Sequence, residues 1–186
     1  MRIDGSAIRT GMVIEFKGKL MLVVSIKIGT PGNLHAFNQV EMRDIRSGTK
    51  VNYKFTSEKV ERVQLEQKNY QYLYEDNNML VFMDNETYEQ IHVDKQLVGD
   101  ALPFLQENMN TVIEFYEAEP LNITLPGSVV MEIVETEPVV KGQTASSSYK
   151  PAILSNGVRV MVPPFIDAGT KIVVNTVDAT YVERAK

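Results

Sequence analysis

The sequence predicts an all-β protein made of small barrels. Short apolar or alternating stretches recur along the chain, turns containing Gly separate those of the first segment about every ten residues, and one stretch after Asp94 has helical spacing. Short strands at this spacing are typical of small barrels. The 186 residues are 44% hydrophobic and 23% charged, which is the composition of an ordinary globular protein with one or two domains.

The first segment is predicted to consist almost entirely of strands. They lie at residues 12–16, 20–26, 37–45 and 51–55, with tight turns at 17–19 and 46–49. Val40 and Met42 are expected to share one face of the third strand, with Phe37 as a further candidate for that face. Lys and Arg are mixed with aromatic residues here. This mixture fits contact with RNA, and it equally fits a half-buried barrel whose outer face is basic.

A turn at residues 30–33 joins two of these strands. Pro31 presets the φ angle of the second turn position, and Gly32 can take the positive φ of the third, as in a type II turn. The turn is therefore predicted to be the tip of a β-hairpin. Its arm, from Lys27 to Pro31, projects on the order of 15 Å at roughly 3.3 Å per residue. On these residues alone, an ordinary surface hairpin is the alternative.

The middle segment begins near Gln64 and is predicted to be an OB-like barrel. Strands are expected at residues 70–74, 79–83, 86–93, 111–116 and 121–125. Asp94 is expected to cap a helix with apolar positions from Leu97 to Leu105, weakened in its later turns by Pro103. Strands, a short helix and further strands fit the OB pattern. Its tyrosines are suited to stacking on bases, but we favour a core role because this segment is strongly acidic.

The last segment contains five predicted strands. They cover residues 129–134, 152–154, 158–162, 172–174 and 180–182, and turns with Asn or Gly lie between them. Five short strands predict a second small barrel. Residues 141–149 are small, polar and without a hydrophobic pattern, which predicts a flexible loop or linker.

Charge is distributed unevenly along the chain. Residues 1–63 carry eleven basic and six acidic side chains, a net charge of +5, whereas residues 64–127 have a net charge of −10. Residues 128–186 are balanced, and the whole chain has a net charge of −5. The basic segment suits a partner that carries phosphate, and the acidic segment suits solvent or a basic protein. An uneven surface without functional meaning is the alternative.

The chain lacks the residues that several classes of function require. The chain has no Cys and two His, so disulfides, thiolate chemistry and a His-rich metal site are not expected. No nucleophile, base and orienting group stand together in a catalytic motif, so we expect no catalytic residues, no metal, no cofactor and no enzyme activity. No stretch approaches the roughly 20 apolar residues of a membrane span, and no signal peptide begins the chain. We therefore expect a soluble cytoplasmic protein with no membrane partner.

Several motifs resemble those of bacterial translation elongation factor P. The matching residues are Lys150-Pro151-Ala152, Gly157, Val160, Val162-Pro163, Ile166 and Gly169 of the C-terminal signature, the stretches 140–145 and 82–90, and Pro31-Gly32 with Ala36-Phe37. The resemblance spans nearly the whole chain. It implies an SH3-like (KOW-like) domain at residues 1–63 and two OB-fold domains at 64–127 and 128–186. It also implies an elongated L shape similar to a tRNA.

The same resemblance implies a ribosome-binding factor rather than an enzyme. Such factors bind the 70S ribosome between the P and E sites and promote peptide bonds between consecutive prolines by positioning the CCA end of the P-site peptidyl-tRNA. The residues implied at the P-site tRNA are the tip loop Thr30, Pro31, Gly32, Asn33, Leu34 and His35. Those implied near mRNA on the small subunit are Lys141, Gly142, Gln143 and Thr144. Further implied contacts with tRNA or ribosomal RNA are Lys27, Arg43, Tyr181 and Arg184. A monomer is expected.

One residue departs from the family pattern. The family commonly has Pro-Gly-Lys-Gly at the tip, with a modified Lys, whereas this chain has Pro31-Gly32-Asn33-Leu34. Asn33 cannot receive a lysyl-type extension, although its amide can donate two hydrogen bonds. Either the chain works with an unmodified tip, or it is an RNA- or protein-binding module of the same fold with a specialised role. A structural alternative is that Asn33 only favours the turn.

Overall fold

The computed structural model describes residues 1–30, 32, 36–139 and 148–186. In these residues sixteen strands form three sheets, which confirms the all-β expectation. The strands are β1 (Arg2–Asp4), β2 (Val13–Phe16), β3 (Lys19–Gly29), β4 (Phe37–Asp44), β5 (Lys50–Phe55), β6 (Lys59–Val63), β7 (Glu66–Asp76), β8 (Met79–Asp84), β9 (Gln90–Asp94), β10 (Asn110–Tyr116), β11 (Glu119–Thr124), β12 (Ser128–Thr136), β13 (Lys150–Leu154), β14 (Arg159–Val162), β15 (Lys171–Asn175) and β16 (Thr180–Arg184). Three 3₁₀ helices cover Gly5–Ala7, Lys95–Leu97 and Gly99–Phe104.

The first sheet has the strand order β1-β6-β2-β3-β4-β5. Alternate residues of β4 are buried, as the apolar pattern of Val40 and Met42 predicts. Phe37 does not join that face, because it lies three positions before Val40 and side chains alternate along a strand. The residues that form the core of this sheet are Ile8, Ile14, Met21, Val23, Val40, Met42, Phe55 and Val60.

Two strands of the first sheet, β1 and β6, are not predicted by the sequence pattern. They pair with each other, with Arg2 opposite Glu61. Strand β1 has three residues and one apolar side chain, Ile3, which is too short for any alternation to be recognised. The 3₁₀ helix that follows begins at Gly5, whose N–H donates to the Glu58 carbonyl at 2.9 Å. This bond ties the end of β1 to the segment between β5 and β6.

The hairpins β4–β5, β8–β9 and β15–β16 have turns of the same type. In each, a side-chain oxygen of the residue that begins the turn accepts from the N–H groups two and three residues ahead, over 2.8–3.3 Å. The N–H four residues ahead donates to the main-chain carbonyl of that same first residue, and its own φ is positive. The first residues are Asp44, Asp84 and Asn175, and the residues with positive φ are Gly48, Tyr88 and Ala179. The turn expected at residues 46–49 is thus confirmed, and the other two hairpins repeat its hydrogen-bond pattern.

These hydrogen bonds lower the pKa of both turn carboxylates. The N–H of Glu86 is the main cause for Asp84, which also accepts from Thr87. Burial raises the pKa of Asp44, but bonds from Ser47 and Arg46, together with the charge of a nearby Lys, outweigh it and the net pKa is lowered. Both groups therefore stay ionised at a lower pH than an ordinary Asp does.

The second sheet, with the order β11-β10-β7-β8-β9, corrects two sequence expectations. The strand predicted at residues 86–93 begins at Gln90 instead, because the preceding residues form the turn capped by Asp84. The predicted helix is replaced by two 3₁₀ helices. Asp94 caps the first of them as predicted, accepting from the Gln96 N–H at 2.8 Å. The run then breaks at Gly99, whose φ is +69°, so no α-helix continues across it.

The core role expected for the tyrosines of β7 is confirmed for two of the three. Tyr70 and Tyr72 are buried, and the Tyr72 ring packs against Phe82 with centroids 5.3 Å apart. Burial, with the charges of Glu75 and a second Glu, raises the pKa of the Tyr72 hydroxyl. Tyr74 is instead 47% exposed, so it belongs to the surface.

The third sheet has the order β14-β13-β12-β15-β16 and contains the five strands that the sequence predicts. Alternate residues of β12 are buried up to Ile133, which is fully enclosed. Lys150 is also buried, and its ammonium group donates to the Glu137 carbonyl at 2.5 Å. That bond provides the buried charge with the polar partner it requires. Fully enclosed apolar residues of this sheet and its turns are Ile133, Leu154, Val162, Ile166, Ile172 and Val174.

The chain divides into two compact units. The first comprises residues Met1–Gln67 with Glu114–Asn122, and the second comprises Lys68–Ile113 with Ile123–Lys186. Within the first unit, Leu121 packs with Val13 and Leu20. Within the second, the Asn156 side chain donates to the Pro103 carbonyl at 3.0 Å.

Candidate nucleic-acid interface

The predicted tip belongs to the β3–β4 hairpin, whose strands stay paired from Met21–Asp44 to Gly29–Phe37. Apolar and β-branched residues along both strands favour this extended pairing. The third strand, β5, ends at Phe55 opposite Asn38. The pair Gly29–Phe37 therefore extends one residue past the three-stranded part of the sheet and is the last described pair before the tip.

Gly29 and Phe37 form a close cross-strand contact at this last pair. The Phe37 ring lies where a side chain at Gly29 would stand, since a Cβ there would come within 2.2 Å of the ring. Gly29 is not in a left-handed conformation, so its small size, rather than its φ, is what this position requires. An aromatic ring that covers a cross-strand glycine replaces the packing that the glycine lacks.

A cation completes the contact from the third strand. Lys54 Nζ lies 3.9 Å from the centroid of the Phe37 ring, within the range of a cation–π interaction. Lys54 pairs with Gln39, and Phe37 is two residues from Gln39 on the same face. Backbone from β3, a ring from β4 and an ammonium group from β5 therefore form one layer at the base of the tip.

The opposite face of the hairpin base is also fixed. Asn38 is buried, and its Nδ2 donates to the Gly5 carbonyl at 2.9 Å. A Cβ at Gly5 would stand 2.9 Å from both Phe55 Cβ and the Thr56 carbonyl oxygen, so only glycine permits this approach. The base of the tip is thus attached to the barrel by hydrogen bonding on one face and ring packing on the other.

The exposed face of β3, β4 and β5 is basic. Register places Lys27, Gln39 and Lys54 in one row across the three strands, and Arg43 beside Lys50 further from the tip. All four cations on this face are exposed. Glu41 lies between the rows, and the Lys50 ammonium group stands 3.6 Å from it. Four cations around one carboxylate leave a positive surface that runs toward the tip, which suits phosphate groups.

This face contains the predicted contacts Lys27 and Arg43 together with Lys50 and Lys54, which sequence reasoning did not single out. The sequence does contain a pattern that identifies them. Lys50, Asn52 and Lys54 alternate along β5, which places the two lysines on the same face of the strand. Gly29 was also missed. A glycine in the last residue of a strand, with an aromatic residue beyond the turn, is the pattern that identifies it.

Only part of the predicted tip loop is described. Thr30 is exposed, and Gly32 has a φ of +54°, the positive value that its turn position predicts. Pro31, Asn33, Leu34 and His35 lie outside the described residues. The same holds for Lys141, Gly142, Gln143 and Thr144.

The remaining predicted contacts, Tyr181 and Arg184, lie on β16 in the second compact unit. The Tyr181 ring meets Tyr149 nearly at a right angle, with centroids 6.4 Å apart. Burial raises the pKa of Tyr181, and the charge of Arg184 partly offsets this effect. The structure therefore groups Tyr181 with Arg184 and Tyr149, and groups Lys27 with Arg43 on the first unit.

Within the ranges described, no three His, Cys, Asp or Glu side chains come together in a way that could hold a metal ion. No helix in the described part of the chain is long and apolar enough to span a membrane.

Three family models match successive parts of the chain. They are the Elongation factor P (EF-P) KOW-like domain at residues 4–60, the Elongation factor P (EF-P) OB domain at 65–123, and Elongation factor P, C-terminal, at 129–184. Elongation factor P of Parvibaculum lavamentivorans is 56% identical over 186 residues, which is all of both chains. Elongation factor P of Ruegeria sp. strain TM1040 is 56% identical over 185 residues, 99% of each chain. These matches confirm the resemblance found in the sequence.

One solved structure supports the fold. A chain described as eukaryotic translation initiation factor 5A from Methanococcus jannaschii aligns with a TM-score of 0.54 and 19% identity. The alignment covers 67% of this chain and 92% of the other. Together with the family models, it confirms an all-β architecture of KOW-like and OB domains.

Proposed function

The chain belongs to the elongation factor P family of translation elongation factors, and from this we propose that it binds the 70S ribosome between the P and E sites. There it promotes peptide-bond formation at consecutive prolines by positioning the CCA end of the P-site peptidyl-tRNA. The observation that carries this proposal is the basic face of β3, β4 and β5, which leads to the tip loop. A positive face beside a fixed hairpin base suits an RNA strand.

The proposed action is positioning rather than chemistry. Proline is a poor and stiff nucleophile, so the reacting ends are badly placed when two prolines are to be joined. A factor that holds the tRNA end lowers the entropic part of the barrier, and each tenfold gain in rate corresponds to about 1.36 kcal/mol. No acid, base or metal is needed for such an effect.

Asn33 is the tip residue in this proposal. Its amide donates hydrogen bonds to the tRNA end directly, in place of the long cation that the family commonly has. In this proposal Pro31 and Gly32 hold the tip rigid, because proline fixes its own φ angle and glycine accepts a positive φ. The tip loop from Thr30 to His35 is therefore the proposed P-site contact.

The remaining parts of the proposal concern the rest of the chain. Lys141, Gly142, Gln143 and Thr144 lie near the mRNA on the small subunit, and Tyr181 with Arg184 contacts ribosomal RNA. The domain limits at residues 63 and 127 and an L shape like that of a tRNA belong to the same proposal. So do a monomeric state and a cytoplasmic location.

The direct test is synthesis of a Pro-Pro-Pro peptide in a reconstituted translation system with and without the protein. We expect faster synthesis of this peptide and no change for a matched Ala-Ala-Ala peptide. Equal rates with and without the protein would refute the function. Asn33→Asp keeps the shape of the tip residue but removes both N–H donors. We expect Asn33→Asp and Asn33→Ala to lose the acceleration, and unchanged acceleration in both would remove Asn33 from the mechanism.

The missing tip Lys supports a second candidate, an RNA- or protein-binding module of the same fold with a specialised role. The two candidates differ in binding to 70S ribosomes that carry a P-site peptidyl-tRNA. A factor acting there binds these ribosomes with an affinity that falls steeply as salt rises. A module with another partner shows no such preference for the occupied P site.

A further inference from the structure

The last pair of the β3–β4 hairpin lacks the support that the earlier pairs receive. Strand β5 ends opposite Asn38, so Gly29 and Phe37 have no third strand beside them. Two-stranded ribbons are marginally stable in water by themselves. The direction of a loop that begins at such a pair therefore varies with the two-stranded ribbon, unless side chains hold the pair in place.

The Phe37 side chain supplies the restraint. Its ring covers Gly29 on β3, and the ammonium group of Lys54 on β5 lies 3.9 Å from the ring centroid. The ring therefore connects the unsupported pair to the strand that ends just before it. Phe37 is half-buried and does not belong to the core cluster of the first sheet, so this contact adds nothing to the barrel interior.

We propose that Phe37, held between Gly29 and Lys54, is the positioning residue of the tip loop. It fixes the direction in which the chain leaves the sheet at Gly29 and returns at Phe37. The consequence for activity rests on the function proposed above. In that function a small error in the direction of the tip displaces the residue that meets the tRNA end, while ribosome binding through the basic face is retained.

Four variants separate positioning from charge. Phe37→Leu removes the ring, and Gly29→Ala forces it away from β3. Lys54→Met removes the cation from the ring, whereas Lys54→Arg keeps a cation that can lie on the ring face. Lys50→Met is the matched control, because it removes one Lys from the same strand and the same face without touching the ring.

The first measurement is Pro-Pro-Pro synthesis as a function of protein concentration. We expect Phe37→Leu and Gly29→Ala to lower the maximal rate on the order of tenfold, with little change in the half-maximal concentration. Lys54→Met lowers the maximal rate less and, because it also removes a cation from the basic face, raises the half-maximal concentration. Lys54→Arg restores both values. Lys50→Met raises the half-maximal concentration and keeps the maximal rate. Maximal rates equal to wild type in both Phe37→Leu and Gly29→Ala would overturn the proposal.

The second measurement is amide hydrogen exchange of residues 26–29 and 37–40 in the free protein. We expect faster exchange there in Phe37→Leu and not in Lys50→Met, with the core of the first sheet unchanged. Faster exchange throughout the sheet would show a general loss of fold and would overturn the positioning role. This result is independent of the ribosome. If the wild-type protein had no effect on Pro-Pro-Pro synthesis, the proposed function would be refuted. The hydrogen-exchange rates would still show whether Phe37 restrains the base of the tip.

Discussion

Asp84 and Asn175 make the same set of hydrogen bonds in two different sheets. Each accepts through one side-chain oxygen from the N–H groups two and three residues ahead, at 2.8 and 3.3 Å in both turns. A carboxylate and an amide thus perform the same structural task at equivalent positions. The turn requires an acceptor on a short side chain, and the charge is an addition to that requirement.

Ala179→Gly is expected to stabilise the β15–β16 hairpin by about 1 kcal/mol, because Ala179 has a φ of +57°, where a Cβ is unfavourable. The equivalent residue of the first sheet is already Gly48. Urea denaturation followed by circular dichroism measures the change in the free energy of unfolding. Gly48→Ala serves as the reciprocal control and is expected to be destabilising. A stabilising effect of Gly48→Ala would show that positive φ does not limit these turns.

Asp84→Asn is expected to destabilise the protein at pH 7 and to have a smaller effect in acid. Hydrogen bonds from Glu86 and Thr87 lower the pKa of Asp84 below its ordinary value of 3.8. As the pH falls, the Asp84 carboxylate is therefore protonated in the unfolded chain before it is protonated in the folded protein. The stabilisation that the carboxylate provides decreases from the unfolded-state pKa downwards and is lost as the pH falls through the folded-state pKa. Urea denaturation of both proteins between pH 7 and pH 3 measures the difference. A difference that stays constant over this range would contradict the assignment.

Leu121→Ala is expected to reduce the free energy of unfolding by about 2–4 kcal/mol. The side chain is 5% exposed and packs with Val13 and Leu20, so its removal leaves a cavity in the first compact unit. Chemical denaturation measures the loss. Val177→Ala is the matched control, since Val177 is 85% exposed and truncation of surface side chains changes stability by less than about 0.5 kcal/mol. Similar losses in both variants would argue against this cluster.

Arg43→Ala is expected to weaken binding to 70S ribosomes more than Arg46→Ala does. Both side chains are exposed, but the Arg46 guanidinium donates to Glu119 at 2.9 Å, so its charge is partly neutralised within the protein. Arg43 lies on the basic face with Lys27. Binding at several salt concentrations tests this, and the loss of one phosphate contact lowers the salt slope by about 1. Equal slopes for the two variants would exclude Arg43 from the interface.

Alternation and turn residues were sufficient to predict most of the fold. Strand β4 and the five strands of the third sheet follow from apolar periodicity, because each has one face in a core. Strand β1 could not be predicted, since a three-residue strand depends on a distant partner. The helix expected after Asp94 failed for a local reason. Gly99 takes a positive φ and divides the apolar run into two 3₁₀ segments.

The sequence predicted which hairpin forms the candidate interface, but it did not predict the side-chain contacts at the base of that hairpin. The turn chemistry of Pro31 and Gly32 located the hairpin, and the charge of the first segment indicated its character. The contact among Gly29, Phe37 and Lys54 depends on three strands aligned in one register, which no local pattern specifies. Tertiary register is therefore the information that single-sequence reasoning lacked here.

The pairing of Arg2 with Glu61 determines the order in which the first sheet can be completed during synthesis. Strand β1 leaves the ribosome first, yet its neighbour β6 follows only after about sixty further residues, whereas β3–β4 and β4–β5 each close over a short loop. The hairpins can thus form while the chain is still growing, and the amino-terminal strand is added late. A nascent chain that ends at Phe55 has the complete tip hairpin but no partner for its own first strand.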